Sequence, residues 1–396
     1  MAKVRGLSDI LTYFRRNEKP IFFVSPTPFN LMGVEKFIHR FYHINYFDSF
    51  DGQHPRVFVP SEKSHDEFES MEDVCNYMLQ HKEVIDRIKK AGKGPAKLLF
   101  VMFDEKTEEI CNELGVDIAL PPAALRKRLD SKIELTKLAN KAGIDSAPNV
   151  LGKADSFEEL MKSAKKGKLG TDLVVQTPYG DSGRTTFFIK CEADWKKNAK
   201  EMKGEQLKIM KRINHMPGTM EVCVTRHGTI SGPIQTDITG FEEITPYKGG
   251  WCGNDVWPKI FNAKIRRDLR NIASKLGDQL YQEGYKGVFC MDFLLDTDDG
   301  TPYLGEVNPR ISGASPLTNL ITSHYGGVPL FLFHMLEYLD VDYEIDLKKV
   351  QNRWNEYDFW SQLVLKQTED KVRQLTHAPR TGVWTEPETM EAAAAE

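Results

Sequence analysis

Gly287-Val-Phe-Cys-Met-Asp292-Phe-Leu-Leu-Asp-Thr-Asp-Asp-Gly300-Thr-Pro-Tyr-Leu-Gly-Glu306-Val-Asn308-Pro-Arg310 reads as two apolar strands joined by an acidic turn. Residues 288–295 and 302–307 are rich in β-formers, and Asp-Thr-Asp-Asp-Gly between them is turn chemistry. Symmetric pairing about Asp299 sets Leu295 opposite Tyr303 and Asp292 opposite Glu306. Side chains alternate along a strand, so Asp292, Glu306 and Asn308 share one face, with Arg310 just past the strand end. Two readings fit. One is a surface hairpin whose polar residues face water. The other is a half-buried carboxylate cluster that a divalent cation compensates, where hard oxygen donors suit Mg²⁺ or Mn²⁺. A calcium-loop reading fails: Gly300 falls one place early, and Val307 stands where the closing Glu should be.

The surrounding 396 residues have room for two or three domains. They are 40% hydrophobic and 28% charged, with net charge -4, which gives no reason to expect a nucleic-acid or membrane partner. Six separated cysteines, with no Cys-x-x-Cys, argue against structural zinc and a disulfide framework and fit a reducing compartment. The opening Met-Ala-Lys-Val-Arg-Gly is not a signal peptide and no long apolar run follows, so a cytoplasmic protein is expected.

Residues 20–120 alternate strand and helix signals. Strands are expected at Ile21–Val24, Val57–Val59, Leu98–Phe103 and Asp117–Leu120, with helices over 66–90 and 106–114, making a small parallel α/β domain over 1–122. It carries neither Gly-x-Gly-x-x-Gly nor a Gly-x-x-x-x-Gly-Lys-Ser/Thr loop. Loop Ser25–Asn30, after the first strand, is either a crevice lining or a plain connection.

After Pro121-Pro122, Ser131-Lys-Ile-Glu134 has the spacing of a capping box, putting Lys132 in the first turn of a helix, where an anion is favoured. A solvated lysine is the alternative. Strand Asp172–Gln176, the tip Thr177–Gly183 and strand Arg184–Lys190 form a glycine-containing hairpin whose backbone can cradle phosphate. Helix 192–202 and strand Leu207–Ile213 follow. A second hairpin (217–225 and 228–233), irregular chain over 239–258, a helix from about 261 to 283 and a helix at Phe331–Leu339 complete the pattern. Expected boundaries are 1–122, 123–206, 207–330 and 331–396.

In this order the pieces resemble the ATP-grasp superfamily, in the branch holding biotin carboxylase, the synthetase domains of carbamoyl phosphate synthetase and carboxylate-amine ligases. The resemblance covers roughly 120–325, and Glu-Val-Asn-Pro-Arg is its most specific part. It implies an α/β and α+β fold in which ATP lies between two lobes. Lys132 would contact the phosphates, the loop 179–184 with Tyr179, Gly180, Ser182, Gly183 and Arg184 would close over them, and Gln176, on the strand before that loop, would be a further nucleotide contact. Lys211 and Ile213 would hold the adenine edge, with Glu221 near the nucleotide; Asp292, Glu306 and Asn308 would bind Mg²⁺; and Arg310 would stabilise the carboxyl substrate and its acyl phosphate. The family usually carries a lysine where this chain has Gln176, and Asp181 adds a negative charge to the loop. Biotin carboxylases follow the arginine with Gln-Val-Glu-His; here Ile-Ser-Gly-Ala-Ser-Pro follows Arg310, closer to the carbamoyl phosphate branch and amino-acid ligases.

Three functions compete: an ADP-forming ligase joining a small carboxylic or amino acid to a nucleophile, a bicarbonate-phosphorylating enzyme, and a non-catalytic nucleotide or metabolite module. Residues 240–255 are either a substrate gate or a surface excursion. As a gate, glycines 249, 250 and 253 allow movement, Tyr247, Trp251 and Trp257 form an apolar wall, and Lys248 accompanies Trp251 as a candidate substrate contact. Oligomeric state is not fixed by the sequence.

Overall fold

The computed structural model describes residues 3–50, 52–92, 94–180, 185–246, 249–257, 259–354, 357, 359–369, 371, 383–384 and 392–393. The first sheet consists of β1 (Ile21–Ser25), β2 (Phe41–Asn45), β3 (Val57–Phe58), β4 (Lys97–Phe100) and β5 (Asp117–Ile118). All pairings are parallel in the order β3-β2-β1-β4-β5. The fully buried run Ile21-Phe-Phe-Val is what a central parallel strand requires, because helices cover both faces. Those helices are α1 (Leu7–Arg15), α2 (Met71–Gln80), α3 (Lys82–Lys90) and α4 (Glu105–Leu114). The single helix expected over 66–90 breaks at His81, whose extended backbone lets its ring cap Glu83 N–H. Chain order reverses between β1 and β4, so a crevice opens at their carboxyl ends.

Helix α5 (Ala123–Asp130) turns at Ser131 into α6 (Lys132–Lys141). Only one half of the capping box forms: Ser131 Oγ accepts from Glu134 N–H, while the Glu134 carboxylate takes Lys137. The second sheet contains β6 (Asn149–Gly152), β7 (Leu173–Gln176), β8 (Thr186–Ile189) and β9 (Leu207–Lys211), antiparallel in the order β6-β9-β7-β8. Its strands alternate sharply. Leu173, Val175, Phe187, Ile189, Leu207 and Ile209 pack against α7 (Phe157–Lys166) and α8 (Glu192–Met202), which leaves Gln176 and Lys208 on the opposite face.

The third sheet has six antiparallel strands. They are β10 (His215–Thr225), β11 (Gly228–Thr239), β12 (Trp251–Val256), β13 (Gly287–Asp296), β14 (Pro302–Asn308) and β15 (Trp360–Leu363), in the order β14-β13-β10-β11-β12-β15. The segment expected to be irregular therefore contains a strand. β12 is short of β-branched residues, and pairing on both sides, with β11 and β15, holds it extended. Helix α9 (Ala263–Gln282) covers one face. Helices α10 (Ser315–His324), α11 (Leu330–Tyr338) and α12 (Leu347–Arg353) pack into the same apolar core as the first sheet. Helices α11 and α12 therefore pack against the third sheet while sharing the core of the N-terminal layer.

His334 locks this junction. Its Nδ1 accepts from Val288 N–H at 3.0 Å and its Nε2 faces Ala119 O at 2.8 Å, so one neutral ring ties β13, α11 and the end of the first domain together. Burial holds its pKa down at about 3.

Candidate active site

The opening hairpin forms, but not symmetrically. Leu295 pairs with Pro302 and Leu294 with Tyr303, one residue off the expected register. A bulge between Asp292 and Phe293 absorbs the slip, so Asp292 still stands opposite Glu306. Gly305 is the extra residue: a Cβ there would sit 3.1 Å from the Asp292 carbonyl oxygen. Past the bulge, β13 and β14 present Asp292, Glu306 and Asn308 to one cavity of about 500 Å³. Arg310, Thr219, Asp237, Trp251, Asn254 and Ser312 line it too, and Met71 and Met102 reach it from the crevice of the first sheet.

The side chains form a connected chain. Arg310 donates to Asn308 Oδ1 (2.8 Å), Asn308 Nδ2 donates to Asp292 Oδ2 (2.9 Å), and Thr219 Oγ1 bonds Asp292 Oδ1. Asn254 Nδ2 donates to Asp237 at 2.7 Å. Desolvation raises the Asp292 carboxyl above its ordinary value against the pull of these donors, and burial plus the Asp292 charge pushes Asp237 up to about 8. Glu306 is raised by desolvation although Lys132 Nζ lies 3.3 Å away. Unneutralised acids held this way suit a divalent cation. Among the described residues no three His, Cys, Asp or Glu side chains converge to cage a metal. Two carboxylates and a nearby amide fit a Mg²⁺ ion that brings other oxygen ligands with it. Asn308 currently turns its amide nitrogen to Asp292 and its oxygen to Arg310, so serving as a ligand requires the amide to rotate.

Lys132 is not a solvated lysine. It is 4% exposed, its ammonium also donates to Gly180 O (3.0 Å), and its backbone N–H bonds Pro178 O. The glycine hairpin is thereby tied to the start of α6. Gln176 donates across the hairpin to Thr186 Oγ1 at 3.1 Å, and Tyr179 is exposed. Ser182, Gly183 and Arg184, with Asp181, lie outside the described residues, as do Tyr247 and Lys248. Lys211 and Ile213 line a separate polar hollow of about 350 Å³, with Asn214, Asp296 and Asp298, at the turn end of the hairpin. Trp251 lies along the main cavity and packs against Gly313, where a Cβ would come within 2.7 Å of its ring. Trp257 does not join it: its ring is exposed and meets Phe359. Loop Ser25–Asn30 docks through Asn30 Nδ2 on Ser312 O (2.7 Å), which supports the Arg310 segment without lining the cavity.

Sequence similarity extends to a mitochondrial methylcrotonoyl-CoA carboxylase subunit alpha from Dictyostelium discoideum: 22% identity over 256 residues, 61% of this chain and 34% of that protein. Biotin carboxylase 1 of Bacillus subtilis is 22% identical over 233 residues, 54% of this chain and 47% of that protein. The chain thus spans less than half the length of the curated relatives it matches. No protein-family model matches. A Campylobacter jejuni biotin carboxylase complex superposes with TM-score 0.61 at 13% identity, covering 83% of this chain and 72% of that one. An Aspergillus clavatus N5-carboxyaminoimidazole synthase in complex with ADP and an aminoimidazole ribonucleotide gives 0.56 at 15%, covering 84% and 79%. This chain has the ATP-grasp fold.

Set within the ATP-grasp fold, two residues change their reading. Glu221 is expected near the nucleotide, yet it lies two residues beyond Thr219 on β10, fully buried, with Ser315 Oγ bonded to its carboxylate. Burial pushes its pKa up to about 7. It belongs to the floor beneath Ser312 and α10. Lys208 is the residue that sequence reasoning passes over. Leu207-Lys-Ile-Met-Lys211 reads as an ordinary alternating strand with a wet face, yet α6 lies against this strand, the Glu306 charge of β14 reaches Lys208, and Lys208 is buried. Among the described residues no helix is long and apolar enough to cross a membrane.

Proposed function

We propose that this chain is an ATP-dependent, ADP-forming ligase that activates a small carboxylic or amino acid as an acyl phosphate for attack by an amine or other nucleophile. One observation carries the reading: the Lys132–Glu306 pair at 3.3 Å joins a cation-bearing wall to a carboxylate-bearing wall across a single cleft. A nucleotide polyphosphate with its divalent cation satisfies both walls at once. The nucleotide runs along the hairpin. Lys211 and Ile213 hold the adenine end, Lys132 and the Gly180 turn hold the phosphates, and Arg310 meets the acid at the far end.

The chemistry follows from charge. Attack of a carboxylate on the terminal phosphate brings two anions together, and the barrier falls when fixed cations surround them. Asp292 and Glu306, with Asn308, would hold a Mg²⁺ ion, which would supply neutralisation that side chains alone do not. Lys132 is fixed in a buried position by Gly180 O and Glu306 and so needs little reorganisation. Arg310, steadied by Asn308, orients the acid. The Gly180 turn on its hairpin covers the phosphates and keeps water from the acyl phosphate. The apolar wall of Trp251, Met71 and Met102 gives an organic acid a surface to bury.

The carboxylase relatives favour a second reading in which bicarbonate is the acid phosphorylated. ATP turnover measured with an acid panel separates the two. ADP release that depends on one organic acid, with ¹⁸O passing from its carboxylate into phosphate, supports the ligase. Release driven by bicarbonate alone supports the second reading. AMP and pyrophosphate as products overturn both.

A further inference from the structure

We infer that Lys208 is a phosphate-binding residue of this cleft, carrying from the neighbouring strand β9 the positive charge that Gln176 does not supply. This rests on the nucleotide reading above.

Lys208 lies mid-strand and is only 3% exposed. Its backbone partner on β7 is Gln176, so the two side chains leave the sheet on the same face, with their Cβ atoms about 5 Å apart. Gln176 has committed its amide to Thr186 and reaches no further into the cleft. Lys208 has no hydrogen-bonding partner among the described residues, and the acid whose field reaches it is Glu306. That carboxylate is already paired with Lys132. Two lysines held in buried positions therefore draw on the same Glu306 carboxylate. A buried charge without a partner is costly, and a lysine is rarely buried unless something pairs with it.

The missing partner is anionic and has several oxygens. If Glu306 turns to a divalent cation, Lys132 loses its ion-pair partner and Lys208 the carboxylate whose field reaches it, and a polyphosphate is the ligand that brings cation and anion together. The class of ligand is thus a nucleoside di- or triphosphate, and Lys208 acts on its phosphate end alone.

Isothermal titration of the full chain with ADP and Mg²⁺, and with adenosine, tests the assignment. Lys208→Met is expected to weaken ADP roughly 10- to 100-fold, with adenosine affinity unchanged. The exchange variant Gln176→Lys/Lys208→Gln returns the charge from the adjacent position and is expected to recover most of the loss. Removing a buried ammonium leaves an apolar stem, so Lys208→Met should fold; its thermal unfolding confirms that. ADP affinity in Lys208→Met within twofold of the parent overturns the assignment and leaves the nucleotide reading intact. So does an equal loss of ADP and adenosine. A parent chain that binds neither ADP nor adenosine overturns both.

Discussion

The two walls of the cleft solve opposite electrostatic problems with the same device. The hairpin wall gathers Asp292, Asp237 and Glu306 around one arginine, and its carboxyls are held above their ordinary pKa. The wall formed by α6 and β9 gathers Lys132 and Lys208, and burial with the Lys132 charge lowers the Lys208 pKa to about 8 against the pull of Glu306. Each wall keeps charges that the folded protein alone leaves poorly matched, and the Lys132–Glu306 pair bridges them. A site arranged this way is preorganised for a ligand of mixed charge rather than for its own stability.

The comparison breaks most easily at Asp292. Asp292→Asn keeps the shape of the side chain and removes its charge. If the hairpin wall is the metal wall, Mg²⁺-dependent turnover falls by about 10³-fold, while ADP affinity measured without metal changes little, because the phosphate lysines are untouched. Parallel loss of metal-free ADP binding would mean that the walls are not separate. Steady-state ADP release and titration calorimetry read the two quantities.

A second effect concerns stability. Glu221 lies beneath the hairpin wall with a folded pKa of about 7, raised by burial from an ordinary value near 4.5. The native chain therefore keeps a proton that the unfolded chain has lost between these two values. Its contribution to stability is fully present below the lower value, declines as pH rises through the window, and is gone above about pH 7. The span corresponds to about 3 kcal/mol. Chemical denaturation at pH 5 and pH 8 should show this decline in the parent, and Glu221→Gln, which mimics the protonated acid, should flatten it. An unaltered slope in the variant would take Glu221 out of the ledger of acids held against water.

How much of this was legible in the chain depends on range. Ser131 announces the start of α6, and the run of β-formers over 288–295 announces β13, because caps and strand propensity are local. Asp292 and Glu306 were correctly set opposite one another although the assumed turn symmetry was wrong: the bulge at Gly305 cancels a one-residue slip. Helix α10 gives little local signal, since Ser315-Pro-Leu-Thr-Asn-Leu-Ile-Thr lacks a side-chain cap and is buried through small polar residues bonded to its own backbone. Lys208 and Glu221 were illegible for a stronger reason. A lone lysine or glutamate in a strand points to water until another element covers it, and the elements that meet these two lie about 70 to 100 residues away in sequence, in α6, β14 and α10.

The smallest expected effect is the most selective. Gly305→Ala places a methyl group 3.1 Å from Asp292 O and 3.6 Å from Leu294 Cγ, close enough that β13 must yield by a few tenths of an ångström. The cost to stability is about 1 kcal/mol, because the contact is with backbone but only slightly too short. The displacement falls on the strand that aims Asp292, so Mg²⁺ affinity of the ADP complex should fall several-fold. The atoms nearest the added methyl all belong to β13, so metal-free ADP binding should hold. Calorimetric titration of Mg²⁺ into the preformed ADP mixture, set beside ADP alone, reads the difference. If a bulge glycine tunes one wall without moving the other, Glu306 is a bridge of charge and not of structure; if both affinities drop together, the hairpin positions the lysines as well, through the same carboxylate.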